Sequence, residues 1–362
     1  MTDPTPTLSR RALIGGAAAA GGTAALARPA IAGDTQTLRM VASWPKNLPG
    51  PGVSAERVAA GIGRLSGGRL TVEVFAAGEL VPALETFDAV QNGTADMAHT
   101  AAIYWSGKMP TAPLFTTAPF GLTPREHMTW IDAAGGQALW DALYADFGVK
   151  PFMAGNTEFN MAGWYNRPMA SKEDLVGRKV RIVGLGAEIL RQLGATPVAM
   201  PTSEVFGALQ SGVVDGAELL GPYSDTSLGM QKVAKYYYGP GFNKPNGTGE
   251  AIIRKAVFDK LPADLQAAVA AACAEEHARA LAEAGWRNAG SLKALQAGGT
   301  DVRIVPADIL AAAEPIAEDI YASIAEKDAL SRKIVDSYRD TRATMGGWGT
   351  YSIESYLRAR MG

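Results

Sequence analysis

The side chain with the clearest capacity for ligand chemistry is Arg181, which lies inside the predicted strand 179–183 and just before Gly184. Strands of a parallel sheet are normally apolar on both faces, so an arginine there needs an explanation. Its planar guanidinium can hold a ligand carboxylate through two parallel hydrogen bonds. Alternatively, Arg181 lies at the end of its strand and reaches water. The pattern alone favours neither interpretation.

Glu218 is the second candidate, because it opens an apolar, turn-forming segment, Glu-Leu-Leu-Gly-Pro-Tyr at 218–223. Together with neighbouring oxygens, such a carboxylate can ligate a hard cation. A lone glutamate more often pairs with a structural arginine or lysine, and the pattern alone favours that role. Trp44 and Tyr104 can form a pocket wall, although aromatic side chains usually belong to the core.

Patterns typical of enzymes are missing or incomplete. His99, His127 and His277 lie far apart and lack the spacing of metal ligands, which favours separate structural or surface roles. The sequence has no Gly-x-Ser-x-Gly elbow and no P-loop. The turn 184–189 resembles a dinucleotide-binding motif, but Ile189 occupies its third glycine position. We therefore predict no enzymatic activity.

The residues above must be positioned by two similar half-molecules. Residues 87–98 and 206–217 share Phe, Ala, Gln, Gly, Asp and Ala at matching positions. In both copies a helix is followed by a glycine, Gly93 or Gly212, placed to take the left-handed conformation that ends a helix. A repeat at this distance indicates two facing lobes with a cleft between them.

Around this repeat, strands and helices alternate in each half. The predicted strands are 38–42, 70–75, 95–99, 179–183, 197–200, 214–218 and 301–305. The predicted helices are 53–65, 81–91, 187–193, 203–210, 262–295, with weak points at Gly285 and Gly290, 307–338, with a break at Pro315, and 348–361. Alternation of this kind predicts an α/β fold with mostly parallel sheets flanked by helices. Ligands of such sheets bind beyond the carboxyl ends of the strands.

The first 32 residues read as a signal peptide and not as part of the fold. A twin-arginine pattern at 9–14 precedes a short Ala/Gly-rich stretch and small residues suited to cleavage near Ala32. This predicts a periplasmic protein. Because twin-arginine export handles prefolded proteins, the alternative function is that of an exported cofactor enzyme, an oxidoreductase.

Charge and cysteine content narrow the choice of partners. Lys and Arg number 34 against 36 Asp and Glu, without a basic run, so nucleic acid and anionic membrane surfaces are poor partners. Cys273 is the only cysteine, so no intrachain disulfide can form.

At this point the sequence resembles a known family. Segments 180–184 and 208–218 are similar to the signature of the substrate-binding proteins of tripartite ATP-independent periplasmic (TRAP) transporters. The likeness covers nearly the whole mature chain and is greatest to the branch that binds 2-oxo acids or lactate with a metal ion. Further segments of that branch's type are 43–46, 75–79, 90–94, 155–157, 163–164, 221–223 and 235–238.

The resemblance implies a two-lobed periplasmic binding protein-like fold that closes about hinge strands and a long connecting helix. We assign residues 33–156 and about 246–285 to lobe I, and 157–245 and about 286–340 to lobe II. The tail, 341–362, would be a helical dimer contact. The protein would capture a small organic carboxylate, such as pyruvate or lactate, and deliver it to the TRAP membrane permease subunits.

The resemblance also implies the roles of individual residues. Arg181 would bind the ligand carboxylate, beside pocket aromatics at Trp44 and Tyr104. A cation, Na⁺ or Ca²⁺, would be held by the side-chain amide of Asn160, the carboxylate of Glu218 and the main-chain carbonyl of Leu219, with no catalytic cofactor.

The branch differs from this chain at three of these positions. It usually has Gln at position 160 and Trp at 219, and often His where this chain has Asn243. The shorter Asn160 and the non-aromatic Leu219 could alter metal dependence or admit a bulkier acid.

Overall fold

A computed structural model describes residues 35–362, and the predicted signal peptide, 1–32, lies outside this range. The described strands are β1 (Gln36–Ala42), β2 (Leu70–Phe75), β3 (Met97–Thr100), β4 (Val149–Asn156), β5 (Gly163–Tyr165), β6 (Lys179–Arg181), β7 (Thr196–Val198), β8 (Gly216–Ala217), β9 (Tyr236–Gly239), β10 (Thr248–Arg254) and β11 (Asp301–Ile304). The described α-helices are α1 (Pro51–Leu65), α2 (Thr86–Asn92), α3 (Pro124–Ala133), α4 (Gly136–Ala145), α5 (Gly186–Gln192), α6 (Val205–Gln210), α7 (Pro222–Ser227), α8 (Lys255–Phe258), α9 (Ala263–Ala297), α10 (Ala307–Ala325), α11 (Ala329–Gly349) and α12 (Ser355–Met361).

The strands form two mixed sheets with cores on both faces. The first has the order β2-β1-β3-β10-β4, and the second has the order β11-β9-β5-β8-β6-β7. β1 pairs in parallel with β2 and β3, as does β6 with β7 and β8, which agrees with the predicted parallel units. β10 and β5 run antiparallel to their neighbours, and neither is among the strands predicted from the sequence.

Four connections join the lobes, the last of them α10, which packs into cores of both sheets. The chain leaves the first sheet after β4 and enters the second at β5, and it returns between β9 and β10. The third is α9, a continuous helix of 35 residues that packs against α1, β4 and α7. Gly285 and Gly290 do not interrupt it. Cys273 is buried in this helix, and burial raises the pKa of its thiol to about 12.

The helical region after β11 breaks elsewhere than predicted. α10 continues through Pro315 and ends at Ala325, so the expected break at Pro315 is wrong. α11 then begins after Asp328, whose side chain accepts a hydrogen bond from the Ser331 N–H. That N-cap satisfies an otherwise unpaired donor and starts a new helix. α11 packs into a core of the first sheet through residues such as Tyr338, a contact that the predicted lobe boundaries do not include.

The internal repeat gives equivalent helix-to-strand units, α2–β3 and α6–β8. Gly93 is the left-handed C-cap of α2, with φ 85°, and Gly212, with φ 74°, comes directly after Ser211, the C-cap of α6. The glycines therefore end their helices as predicted, and each unit brings its strand to the cleft. Within residues 35–362, we find no helix with the length and apolar character needed to cross a bilayer.

Candidate ligand-binding site

A cavity lies between the carboxyl-end edges of the two sheets. The space among its lining atoms, open solvent at the mouth included, is about 590 Å³, and the volume open to the centres of water-sized molecules is about 40 Å³. On one side of the mouth the Ser224 hydroxyl donates to the Pro49 carbonyl at 2.8 Å, so the lobes touch there. Five of the predicted site residues line the cavity: Trp44, Tyr104, Asn160, Arg181 and Leu219.

Arg181 and Glu218 are neighbours because β6 and β8 pair in parallel, with Arg181 in register with Ala217. Both side chains are almost completely buried. Nε and Nη2 of Arg181 donate to the Met200 carbonyl at 3.1 and 2.9 Å, and Nη1 donates to the Glu218 carbonyl at 2.6 Å. These main-chain oxygens fix the plane of the guanidinium, which lines the cavity.

The carboxylate of Glu218 lies behind the cavity wall. Its Oε2 is 3.9 Å from Nη1 of Arg181, and its Oε1 contacts the Lys244 ammonium. Neither carboxylate oxygen receives a well-directed hydrogen bond from the described residues, so the Lys244 contact is an ion pair. The same ammonium donates to the Leu219 carbonyl. Lys244 is itself buried and lines the cavity.

The Asn160 amide is held by two residues of the segments that connect the lobes, Thr157 and Asn246. Its Oδ1 accepts from the Thr157 hydroxyl at 3.0 Å, and its Nδ2 donates to the Asn246 carbonyl at 2.9 Å. The side chain of Leu219 packs into a core of the second sheet, while its carbonyl faces Lys244. The predicted cation ligands therefore adjoin the cavity, but a lysine ammonium already contacts two of them.

An aromatic wall closes the first-sheet side. Trp44 stacks at a tilt on Tyr104, with ring centroids 5.9 Å apart, and its indole N–H donates to Nδ1 of His99 at 2.9 Å. Nε2 of His99 is 2.7 Å from the Ala154 carbonyl and must carry the ring proton. Burial raises the pKa of Tyr104, an effect that the positive charge of Arg181 partly offsets.

The histidines are structural. Burial lowers the pKa of His99 to about 4, of His127 to about 3 and of His277 to about 4. Each ring also contacts a main-chain carbonyl. Neutral imidazoles committed to the backbone are poor acid–base catalysts at neutral pH. Within residues 35–362, no three His, Cys, Asp or Glu side chains are grouped so as to hold a metal ion.

Lys244 is the site residue that sequence reasoning missed. The signal available was its position in Pro-Gly-Phe-Asn-Lys-Pro at 240–245, next to Asn243, which already departs from the branch. A single lysine in a turn nevertheless gives no indication of its partners. Its contact with Glu218 depends on how the 240–247 connection folds back over β8.

Two α/β lobes around a buried arginine, with the cavity at their strand ends, define a two-lobed solute-binding receptor. The chain matches the family described as bacterial extracellular solute-binding protein, family 7, over residues 51–328, and it belongs to that family. The predicted resemblance to TRAP solute-binding proteins is thereby confirmed, as is the two-lobed fold.

Three relatives are close enough to compare over nearly their whole length. The monocarboxylate 2-oxoacid-binding periplasmic protein of Nostoc sp. is 36% identical over 318 residues, 88% of this chain and 87% of its own. A TRAP transporter solute-binding protein of Bordetella bronchiseptica, a mixed-occupancy dimer with copurified calcium and picolinate, has a TM-score of 0.87 and 33% identity, covering 91% of this chain and 98% of its own. A periplasmic TRAP protein of Pseudoalteromonas atlantica with bound sodium and pyruvate has a TM-score of 0.86 and 31% identity, covering 90% of this chain and 99% of its own.

Proposed function

We propose that this TRAP receptor captures a small organic monocarboxylate, a 2-oxo acid such as pyruvate or a 2-hydroxy acid such as lactate. The observation that carries the proposal is the fixed guanidinium of Arg181. Arginine has five N–H groups, and three of them go to main-chain carbonyls of the described residues. Two remain for a ligand at the cavity wall, which suits the two oxygens of a carboxylate.

The relatives support this ligand class. The Nostoc protein binds monocarboxylate 2-oxoacids, and the Pseudoalteromonas protein contains pyruvate. In this chain, Trp44 and Tyr104 offer an apolar wall to the carbon end of such an acid. Asn160 lines the same cavity. Its amide donates to the Asn246 carbonyl, in the segment that connects β9 to β10.

The proposal extends to the setting in which the receptor works. Residues 1–32 direct twin-arginine export, cleavage near Ala32 leaves the receptor in the periplasm, and the loaded form delivers its ligand to the TRAP permease subunits. Binding closes the lobes only if the ligand favours the closed form over the open one. We propose no enzymatic role, since the buried histidines are neutral and bound to the backbone.

The test is calorimetry and thermal shift on residues 33–362 with pyruvate and lactate. A ligand at a hundred times its dissociation constant stabilises a protein by about 2.7 kcal/mol. Arg181→Lys should lose at least about tenfold in affinity, because a point charge cannot replace the two-pronged guanidinium. Affinity unchanged from the parent chain would contradict the assigned role.

Arg178→Lys is the matched control. Arg178 is also buried and donates to the Arg167 and Pro168 carbonyls at 2.8 and 2.6 Å, but it does not line the cavity. This variant should lower stability and leave affinity unchanged. The pair thus separates loss of ligand binding from general damage to the lobe.

A further inference from the structure

The family resemblance implies a metal ion held by Asn160, Glu218 and Leu219. In this structure the side chain of Lys244 contacts two of these residues. Two of the three expected ligands are the Glu218 carboxylate and the Leu219 carbonyl. The Lys244 ammonium contacts Oε1 of the first and the oxygen of the second. Calcium and sodium accompany the ligands of the Bordetella and Pseudoalteromonas relatives. In this chain the positively charged group beside the Glu218 and Leu219 oxygens is the ammonium of Lys244.

The main chain fixes the position of this lysine. The Lys244 N–H donates to the Gly241 carbonyl at 2.9 Å, and the Gly241 N–H donates to the Asn160 carbonyl at 3.1 Å. Two residues on, Asn246 donates to the Thr116 carbonyl at 2.7 Å. The loop is therefore tied to both lobes around Lys244. With 6% of its surface exposed, Lys244 has little freedom to turn towards solvent.

The third expected ligand is committed elsewhere. Asn160 accepts from Thr157 and donates to the Asn246 carbonyl, so both ends of its amide already have partners. These bonds orient the amide towards the Thr157 and Asn246 connections. A metal ion would have to compete with Thr157 for the amide oxygen and displace Lys244 from the other two oxygens.

Electrostatics opposes a metal ion beside this ammonium. Two unit positive charges 4 Å apart repel strongly enough to weaken binding by roughly three orders of magnitude at an effective dielectric constant of about 20. A lysine ammonium has three N–H donors, of which one goes to the Leu219 carbonyl, while Glu218 is held as an ion pair. A further donor remains for an oxygen of a ligand in the cavity that Lys244 lines.

We propose that Lys244 replaces the co-bound metal ion, so that this receptor captures its carboxylate without one. The ammonium offsets the buried charge of Glu218 and donates to the bound acid beside Arg181. This inference rests on the proposed function, because it assumes a carboxylate ligand. It deepens that function by assigning the second positive group of the site to the protein itself.

The test compares binding of pyruvate and lactate with and without metal. Calorimetry is run in a choline-based buffer with chelator, and then with sodium chloride or calcium chloride. The unaltered chain should bind with less than about a twofold difference among these buffers. Lys244→Met should bind about 10- to 100-fold more weakly in chelator, the effect of one charge-assisted hydrogen bond. Calcium should restore part of that loss, because the oxygens of Glu218 and Leu219 are then free.

Two further variants keep the result interpretable. Lys260→Met removes an exposed lysine after α8 and should match the unaltered chain in every buffer. Lys244→Met alone leaves a buried carboxylate without its partner, which can destabilise the fold. The double variant Lys244→Met/Glu218→Gln removes both charges. It should fold, bind weakly and show no response to calcium.

The outcomes distinguish the inference from the proposed function. Binding by the unaltered chain that tightens tenfold or more with sodium or calcium would overturn the role of Lys244 and leave the carboxylate receptor intact. Parent-like affinity of either Lys244 variant in chelator would overturn it as well. Failure to bind either acid in every buffer would refute the proposed function and the inference together.

Discussion

At the scale of single residues, the site depends on Gly241, where the main chain of the 240–247 loop lies directly against the main chain of Asn160. A Cβ on Gly241 would lie 2.4 Å from the Asn160 carbonyl oxygen and 2.8 Å from its carbon. These are backbone atoms and cannot rotate away. Glycine at this position is what lets the loop that carries Lys244 lie against the Asn160 segment.

We therefore expect Gly241→Ala to destabilise the protein by about 1–3 kcal/mol, the usual cost of forcing atoms into a packed region. It should also weaken pyruvate binding, because the Lys244 loop must move. Chemical denaturation and calorimetry measure the two effects. Gly207→Ala is the control: it lies in α6 with open space around the added carbon, and it should stabilise by up to about 1 kcal/mol. Equal behaviour of the two variants would contradict this account.

Residue type and position point to four of the residues at the cavity but not to their roles. The sequence pattern leaves the role of Arg181 open and favours structural roles for Glu218 and for the aromatics Trp44 and Tyr104, and the cavity contacts or adjoins all four. Lys244 was not foreseen, because its significance comes from an ion pair across 26 positions of sequence. Such a contact follows from loop closure and not from local pattern.

At the scale of elements, β10 carries a buried carboxyl group between its two neighbours. Glu250 accepts from the Trp105 indole at 2.7 Å and from the Tyr144 hydroxyl at 3.1 Å. Burial raises its pKa to about 8, an effect that these hydrogen bonds partly offset. The folded protein therefore retains a proton on Glu250 at pH values where the unfolded chain, with an ordinary glutamate pKa, has lost it.

This difference makes stability depend on pH. Because the folded state binds the proton more tightly, Glu250 lowers the free energy of unfolding as pH rises from about 4.5 to about 8, by up to roughly 1.4 kcal/mol per unit. Glu250→Gln should remove that contribution, so its stability relative to the parent should increase across this window. Urea denaturation at several pH values measures the difference. Glu73→Gln, an exposed glutamate on β2, should leave the profile unchanged, and a flat difference for Glu250→Gln would refute the assignment.

The elements that sequence could predict are those with a local signal. Parallel β-α-β units follow from alternation, and Gly93 and Gly212 mark the ends of their helices. β10 has no such signal: nearly every residue is buried, including Glu250, so apolar and polar positions do not alternate. The break between α10 and α11 depends on the Asp328 cap and not on Pro315, because the surrounding helix tolerates the missing N–H of that proline.

At the scale of the whole molecule, the C-terminal tail, residues 341–362, carries a group of exposed aromatic side chains. Trp348, Tyr351 and Tyr356 are 64%, 86% and 64% exposed at the end of α11 and in the helical turns that follow. Exposed apolar clusters of this kind often mark protein interfaces. The Bordetella relative is a dimer, and we propose that this tail is the dimer contact of the present chain.

The double variant Trp348→Glu/Tyr351→Glu should convert a dimer to a monomer, because buried charges without partners oppose association. Light scattering after size-exclusion chromatography measures the mass. Val176→Glu alters an apolar residue that is also exposed, at 66%, outside the tail, and should leave the dimer intact. A monomeric parent chain, or a dimer that survives both tail substitutions, would exclude this contact.

The burial of Cys273 has a practical consequence. Its thiol is enclosed in α9 and, with its pKa raised to about 12, is almost entirely protonated at neutral pH, whereas the thiolate is the form that attacks thiol-reactive dyes. The native chain should therefore not react with such dyes, and only cysteines introduced by mutation would be labelled. Cysteines introduced at the exposed positions Lys46, after β1 of the first sheet, and Ser227, in α7 after β8 of the second, would accept a donor and an acceptor dye. The receptor could then serve as a fluorescent sensor whose signal follows the distance between its lobes.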